Sequence, residues 1–470
     1  MPPEIDLLGA DRGSVTAPAG CGKTQLIANN LVAHAGSKPV LVLTHTNAGA
    51  AALRLRLQRA EVPSSNYRVA TLDGFAMRLI SWFPGRSGHD PRILLLDDRN
   101  NDYPAIRQAA LALLEGRHIT AALKATYSRA FVDEYQDCNL MQHAIVNALA
   151  DALPTVVLGD PMQAIFNFRN NRLVQWRQDV LTAFPRLGRL QTPWRWINAG
   201  AEDLGHWLLQ ARDELRMGRP VDLRAAPPRV EWIQLDGADP DARRRAAAQT
   251  RLRADEANIL IVGDSMQVGG RHQLTSQTPG ATVVENVELT DLMSFARRLD
   301  LRADDALELV LDFAGEVMTG VGPRAFLERV RTIQQGRQRK PASEAEAKAV
   351  AFAAEPSLLG AVELLRALTE QPGTRTYRPD MLHSCRTAMR EAAQSGCGFA
   401  EAALRVRERN RHMGRLVAKR AVGSTLLLKG LEADVAVILQ PERMDASNLY
   451  VALTRGARRV LVCSQDGIHP

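Results

Sequence analysis

Short, almost wholly apolar runs alternate with stretches in which apolar residues recur every three or four positions over the first 190 residues or so. Ser14-Val15-Thr16 leads into a loop of small residues, APAGCGKT, after which Leu26, Ile27, Leu31 and Val32 recur at helical spacing. That pattern predicts strand, loop, helix. A second apolar run, Pro39 to Leu43, enters the Ala/Leu/Arg-rich stretch THTNAGAAALRLRL; a third, around Phe131 and Val132, ends in DEYQD; a fourth, Thr155 to Leu158, ends in GDPMQ. Each predicted strand delivers polar residues at its carboxyl end. Open parallel sheets bind ligands at that end, so this part of the chain is expected to be an α/β nucleotide-binding domain.

A second set of strand patterns lies at 229–236, 258–263, 425–439 and 458–463, which predicts a second α/β domain. Residues 290–415 turn helical and charged (LTDLMSFARRLDL, ALELVLDFAGEVM, AVELLRALTE), as expected of a helical insertion into that domain, and a smaller helical insertion is predicted at 84–128. The expected organisation is therefore a first domain over 1–83 and 129–195 and a second over 196–289 and 416–470, both with parallel sheets. The echo of GDPMQ at 159–163 by GDSMQ at 263–267 is short enough to be chance.

Composition narrows the field only a little. The 470 residues are 46% hydrophobic and 24% charged, the profile of a folded globular protein, with a formal charge of +7 that permits an anionic partner. The five cysteines are odd in number and never spaced C-x-x-C, so neither a disulfide framework nor a zinc or iron-sulfur cage is expected. No apolar stretch approaches a membrane span and the amino terminus carries acids early, which predicts a cytoplasmic location.

The chemistry sits at the strand ends. APAGCGKT, residues 17–24, is a P-loop: Ala19, Gly20, Cys21, Gly22 and Gln25 line the phosphate-binding turn, Lys23 reaches the β/γ oxygens, and Thr24 offers a hydroxyl to Mg²⁺. FVDEYQD supplies a carboxylate for the metal, Asp133, and beside it Glu134 to take the proton of an attacking water. Gln163, just past the next strand, is placed to sense a γ-phosphate or orient water. The bound species expected from these residues are ATP and Mg²⁺.

Eight strings in order then resemble the superfamily 1 helicases of the UvrD/Rep type. They are APAGCGKT, LTHTNAGAA (43–51), TLDGF (71–75), VDEYQD (132–137), LGDPMQAIFNFRN (158–170), TPWR (192–195), KGLEADVAVIL (429–439) and LYVALTRGARR (449–459). The resemblance implies two RecA-like domains, with Lys23, Thr24, Asp133, Glu134 and Gln163 acting from the first and Arg195 and Arg455 reaching the γ-phosphate from the second. It implies that Glu432 lies near the ribose and Trp194 stacks on the base; Trp194 as ordinary core is the alternative. For a nucleic-acid track it implies Phe166, Phe168 and Arg169, with His45 at the position of an aromatic and Thr46, Asn47, Thr71 and Thr425 at the strand backbone; stacking suits a motor that steps along any sequence. For either Phe, ordinary core is the alternative.

The sequence departs from that family at several places. No Gln precedes residue 25 to read an adenine edge, His45 replaces an aromatic, Asp73 stands where a His is expected and would set a negative charge near a phosphate, and Leu426 replaces a His. Both insertions are short. Two functions follow from the resemblance: an ATP-dependent translocase or helicase on single-stranded DNA, moving 3′ to 5′, or a regulatory nucleic-acid-sensing ATPase that controls a partner nuclease, no nuclease motif being evident in this chain. A small-molecule kinase would leave the later motifs unexplained.

Overall fold

The computed structural model describes residues 4–166, 172–237, 239–410 and 418–470. Two six-stranded sheets organise the α/β fold, as expected of two RecA-like domains. The first is built from β1 (Arg12–Thr16), β2 (Val40–Thr44), β3 (Tyr67–Thr71), β4 (Ala130–Val132), β5 (Thr155–Gly159) and β6 (Arg186–Arg189). Its order is β3-β2-β4-β5-β1-β6 and every pairing is parallel. The second comprises β7 (Val230–Gln234), β8 (Ile259–Val262), β9 (Thr282–Val283), β10 (Arg420–Gly423), β11 (Ala433–Ile438) and β12 (Gly456–Ser464), in the order β9-β10-β8-β11-β12-β7. The pairings of β9 with β10, β10 with β8 and β8 with β11 are parallel.

The apolar runs of the first sheet read as near-continuous because both faces are covered. Side chains alternate between faces along a strand. Val40, Val42, Phe131, Val156 and Leu158 accordingly pack with Leu26, Ile27, Leu31, Leu53 and Leu57 of the helices α1 (Lys23–Ala33) and α2 (Asn47–Arg59). Leu41, Leu43, Val132 and Val157 face the opposite core, with Phe75 and Leu79 of α3 (Leu72–Trp82) and Ile145 and Leu149 of the helix Leu140–Ala150. Register then fixes where the strands end: Thr16 of β1 lies beside Gly159 of β5, and Val132 of β4 beside Val157. The loops that follow β1, β4 and β5 leave the sheet at one edge.

Four strands of the two large sheets escape the sequence pattern. β3 (YRVAT) and β6 (RLGR) are edge strands with polar positions, and β9 and β10 are short. Conversely, the run predicted as strand over 425–439 opens with a helical turn, Thr425–Leu428, capped by Ser424, and becomes strand at Ala433. Helices occupy both stretches read as helical, among them Arg99–Glu115 in the first and Ala306–Val317, Leu358–Glu370 and Pro379–Ser395 in the second, where Phe295, Phe313, Leu364 and Met389 share one apolar core. None of the five cysteines forms a disulfide, and no helix among the described residues is long and apolar enough to cross a membrane.

Contacts divide the chain into two compact units, residues 1–232 together with 441–470, and residues 233–440. Within the second unit the helical insertion is fastened to the edge of its sheet by one short segment. Tyr377 accepts at its carbonyl from Val283 N–H (2.8 Å), and Arg375 donates to the carbonyls of Thr275, Ser276 and Ala281 at 2.8–2.9 Å. Arg378, almost fully buried, holds Glu285 through two nitrogens (2.6 and 2.9 Å) and Asp291 through one (2.6 Å). His272 lies near this cluster, and burial first, then the positive charge of Arg378, pull its pKa down to about 4.

A histidine that resists protonation when folded accepts its proton in the unfolded chain near pH 6.5, so the unfolded state binds more protons between the two values and stability falls as the pH drops. The urea midpoint of residues 233–440 is therefore expected to fall between about pH 6.5 and about pH 4. His272→Gln should flatten that part of the profile, as read by hydrogen exchange of the second unit's amides.

Candidate nucleotide site and nucleic-acid track

The loop after β1 turns tightly because Gly20 and Gly22 sit at φ +68° and +84°, a region that side-chain-bearing residues rarely adopt. Gly22 caps α1, whose first turn donates Leu26 N–H to the Gly22 carbonyl at 2.8 Å. The cradle is also crowded. A Cβ at Gly20 would lie 2.5 Å from Cζ3 of Trp196, and one at Gly22 would lie 3.2 Å from Cδ1 of Trp194. The segment carrying these tryptophans is tied to the loop by the Arg195 N–H, which donates to the Gly20 carbonyl at 3.0 Å.

Lys23, the first residue of α1, points into the edge where β4 ends. Its Nζ lies 2.9 Å from Asp133 Oδ1 and 2.5 Å from Glu134 Oε1, and only 11% of the side chain is exposed. Burial works against the ammonium, but the attraction of the two carboxylates outweighs it and raises the lysine above its ordinary range. Asp133 is fixed by its N–H, which donates to the Leu43 carbonyl at 2.7 Å, and its Oδ1 accepts from the Glu134 N–H at 2.9 Å. Glu134 itself has φ +54°, a strained conformation for a glutamate of the kind that accumulates at functional sites. Thr24 is half-buried in the first turn of α1, Cys21 is buried with its thiol pushed up to about 12 chiefly by burial, and Gln25 is exposed, its amide on Asn29 at 2.8 Å.

The carboxyl-terminal segment of the same compact unit closes round this loop. The Ala19 N–H donates to the Tyr450 hydroxyl at 3.0 Å, Arg195 Nη1 donates to the Thr454 carbonyl at 2.7 Å, and Trp196 Nε1 to the Gly456 carbonyl at 2.9 Å. Arg455 is buried, its Nε on the Val451 carbonyl (2.8 Å) and its Nη2 on Thr454 Oγ1 (3.0 Å). The structure therefore brings Ala19 to Thr24, Asp133, Glu134, Trp194, Arg195 and Arg455 into one compact unit, with Trp194 46% exposed beside Gly22. Gln163 joins them from the turn after β5, its Nε2 on Asp160 Oδ2 at 3.2 Å. Glu432 and Thr425 belong to the other unit, the first exposed, the second buried.

The expected nucleic-acid residues divide differently. His45 and Phe166 share a ring contact, centroids 5.6 Å apart, past the ends of β2 and β5. Thr46 and Thr71 are helix caps, each accepting a backbone N–H at 3.0 Å from Gly49 and Gly74 respectively, and Asn47 is exposed at the start of α2. Phe168 and Arg169 lie outside the described residues. Asp73 carries no bare charge: Arg107 of the helix Arg99–Glu115 grips it through two nitrogens at 2.6 and 2.7 Å. The expectation that Asp73 would repel a nearby phosphate is corrected by that pairing, which sequence reasoning missed because Arg107 lies 34 residues away in the insertion.

Comparison with known proteins fits this geometry. Residues 10–111 and 98–178 match the family described as UvrD/REP helicase N-terminal domain. The chain is 37% identical over 76 residues to an ATP-dependent helicase/nuclease subunit from Levilactobacillus brevis and 34% identical over 68 residues to its counterpart from Syntrophomonas wolfei. Each match covers 14% of this chain and only 6% of the relative's length. A solved Pif1 helicase from Candida albicans aligns over 58% of this chain and 52% of its own, at 13% identity and a TM-score of 0.31. Residues 10–178 thus resemble the amino-terminal domain of the UvrD/REP helicases.

The crowding at Gly20 is testable. Gly20→Ala forces both a left-handed alanine, costing about 1–2 kcal/mol, and displacement of Trp196. Binding of a fluorescent nucleotide should weaken by about tenfold or more, since 1.4 kcal/mol is a factor of ten, while circular dichroism keeps its native shape.

Proposed function

We propose that this chain is an ATP-dependent translocase or helicase that acts on single-stranded DNA, moving 3′ to 5′ and coupling hydrolysis at the P-loop to movement of the strand. The observation that carries the reading is Lys23, held at the phosphate-binding turn by Asp133 and Glu134 together. A lysine so placed can exchange carboxylate partners for phosphate oxygens without crossing open solvent.

The donor set suits a magnesium nucleotide. The Thr24 hydroxyl and the Asp133 carboxylate are hard oxygen ligands, and among the described residues no cluster of three or more His, Cys, Asp or Glu offers a caged metal site instead. Bound there, Mg²⁺ would neutralise charge developing on the β- and γ-phosphates. Glu134, which is not needed as a metal ligand, takes the proton of the attacking water, while Gln163 orients it and the Arg195 and Arg455 guanidinium groups offset charge on the transferring oxygens. Trp194 offers an exposed ring to the base. His45 and Phe166 provide an aromatic surface on which any base can stack, worth about 1–3 kcal/mol per base.

The relatives' printed names describe proteins that combine helicase with nuclease. From them we take the partner to be a nuclease or another component of a DNA-processing complex, with cytoplasmic DNA as the track. The regulatory reading, in which the chain senses nucleic acid without unwinding it, rests on the short insertions and on no observation that sets it above the motor.

Steady-state hydrolysis with and without single-stranded DNA decides between them, with RNA and GTP run in parallel. Stimulation by DNA is expected, falling by about 10²- to 10⁴-fold in Glu134→Gln, the range for loss of a positioned general base. Phe166→Ala should slow strand displacement more than it slows unstimulated hydrolysis. Control-sensitive hydrolysis that is indifferent to DNA would overturn the motor reading.

A further inference from the structure

The carboxylate of Asp160 is the most completely enclosed charge near the nucleotide site, and no motif accounts for what holds it there. It is 0% exposed, and Arg212, 1% exposed, reaches it from the helix Glu202–Arg216 with Nη2 at 2.5 Å and Nε at 3.0 Å from Oδ1. Burial opposes the guanidinium's charge, yet the attraction of Asp160 outweighs it. Oδ1 also accepts the Met162 N–H at 3.2 Å, which leaves Oδ2 for Nε2 of Gln163.

The backbone of the same residue serves the other half of the site. The Asp160 N–H donates to Oε1 of Gln136 at 3.0 Å, and Nε2 of Gln136 donates to Oε2 of Glu134 at 2.5 Å and to Asp137 Oδ2 at 3.3 Å. The orientation of that amide is unambiguous, because an N–H can meet only its oxygen and a carboxylate only its NH₂ group. Gln136 is 1% exposed and presses so closely on β5 that a Cβ at Gly159 would fall 2.5 Å from its Oε1. Glu134 and Gln163, the two groups assigned to the attacking water, are thereby tied to one residue, and that residue is held by Arg212.

We propose that Arg212 is a positioning residue for hydrolysis: by saturating one oxygen of Asp160 it fixes the other on Gln163 and fixes the turn through which Gln136 braces Glu134. The inference rests on the proposed ATP hydrolysis and names no new contact with the nucleotide. Removing only Arg212 would leave a buried, unpaired carboxylate and invite unfolding, a cost of about 3–5 kcal/mol for such pairs. The informative variant therefore discharges both partners, Asp160→Asn with Arg212→Met, beside the milder Arg212→Lys, which keeps the charge and loses the fork.

The experiment measures, in the full chain, hydrolysis at saturating ATP, equilibrium binding of a fluorescent ATP analogue with Mg²⁺, and hydrogen exchange at residues 160–164. The double variant is expected to bind the analogue within about threefold of the parent and to hydrolyse at least about tenfold more slowly, with faster exchange at Met162 and Gln163. Adding Gln163→Ala to it should cost little more, since groups acting through one frame are non-additive. Losses that add independently, an unchanged kcat, or an equal fall in binding and hydrolysis would overturn the proposal, as would an Arg212→Lys chain at full kcat should the double variant not fold. Absence of Mg²⁺-dependent, Glu134→Gln-sensitive hydrolysis in the parent would overturn the ATPase reading itself.

Discussion

A buried ammonium needs carboxylates within reach, and at this site it finds them only because three strand ends leave the sheet together. Lys23 follows β1, and Asp133 and Glu134 follow β4; β5 runs between those strands and contributes Asp160 and Gln163 just beyond its end. The charge pattern constrains the sheet in return. A slip of one residue in β4 would turn Val132 toward the wrong core and carry Asp133 away from the lysine, so packing and electrostatics select the same register. The strained backbone at Glu134 is tolerated within that frame, where Lys23 and Gln136 hold the two oxygens of its carboxylate.

Around this pair the structure adds a shell that is aromatic on one side and ionic on the other. Trp194 and Trp196 press on glycines that can yield no space, and Tyr450 takes the Ala19 N–H, so the phosphate turn is braced by side chains distant in sequence. Behind it, Asp160, Arg212 and Gln136 form a fully buried polar group in which every described partner is satisfied, the condition under which such networks add rigidity and not cost. Away from the nucleotide, the structure gives several of the expected strand-contacting residues local duties. Thr46 and Thr71 are caps, and a capping hydroxyl already engaged by an N–H can still accept from elsewhere but is no longer free to turn.

The candidate nucleotide site was legible in the chain because its parts are local. A P-loop is eight consecutive residues, and the acids and Gln163 fall directly after apolar runs, so strand prediction places them at a sheet edge. Arg212 and Arg107 were not legible, since nothing in QARDE or AIRQA marks an arginine as paired, and their carboxylate partners lie 52 and 34 residues away. Edge strands such as β3 and β6 escaped for a related reason: half their positions face outward, which dilutes the apolar signal that central strands carry.

By itself the sequence determined the α/β class, the helical character of residues 290–410 and which candidate groups stand at the strand ends, because each depends on residue types at short, fixed spacing. Tertiary structure alone decided which charges are paired, which glycines are hemmed in and which hydroxyls are already engaged. Those outcomes depend on distance through space, and a long-range pair such as Asp160 with Arg212 has no signature along the chain until the sheet brings its ends together.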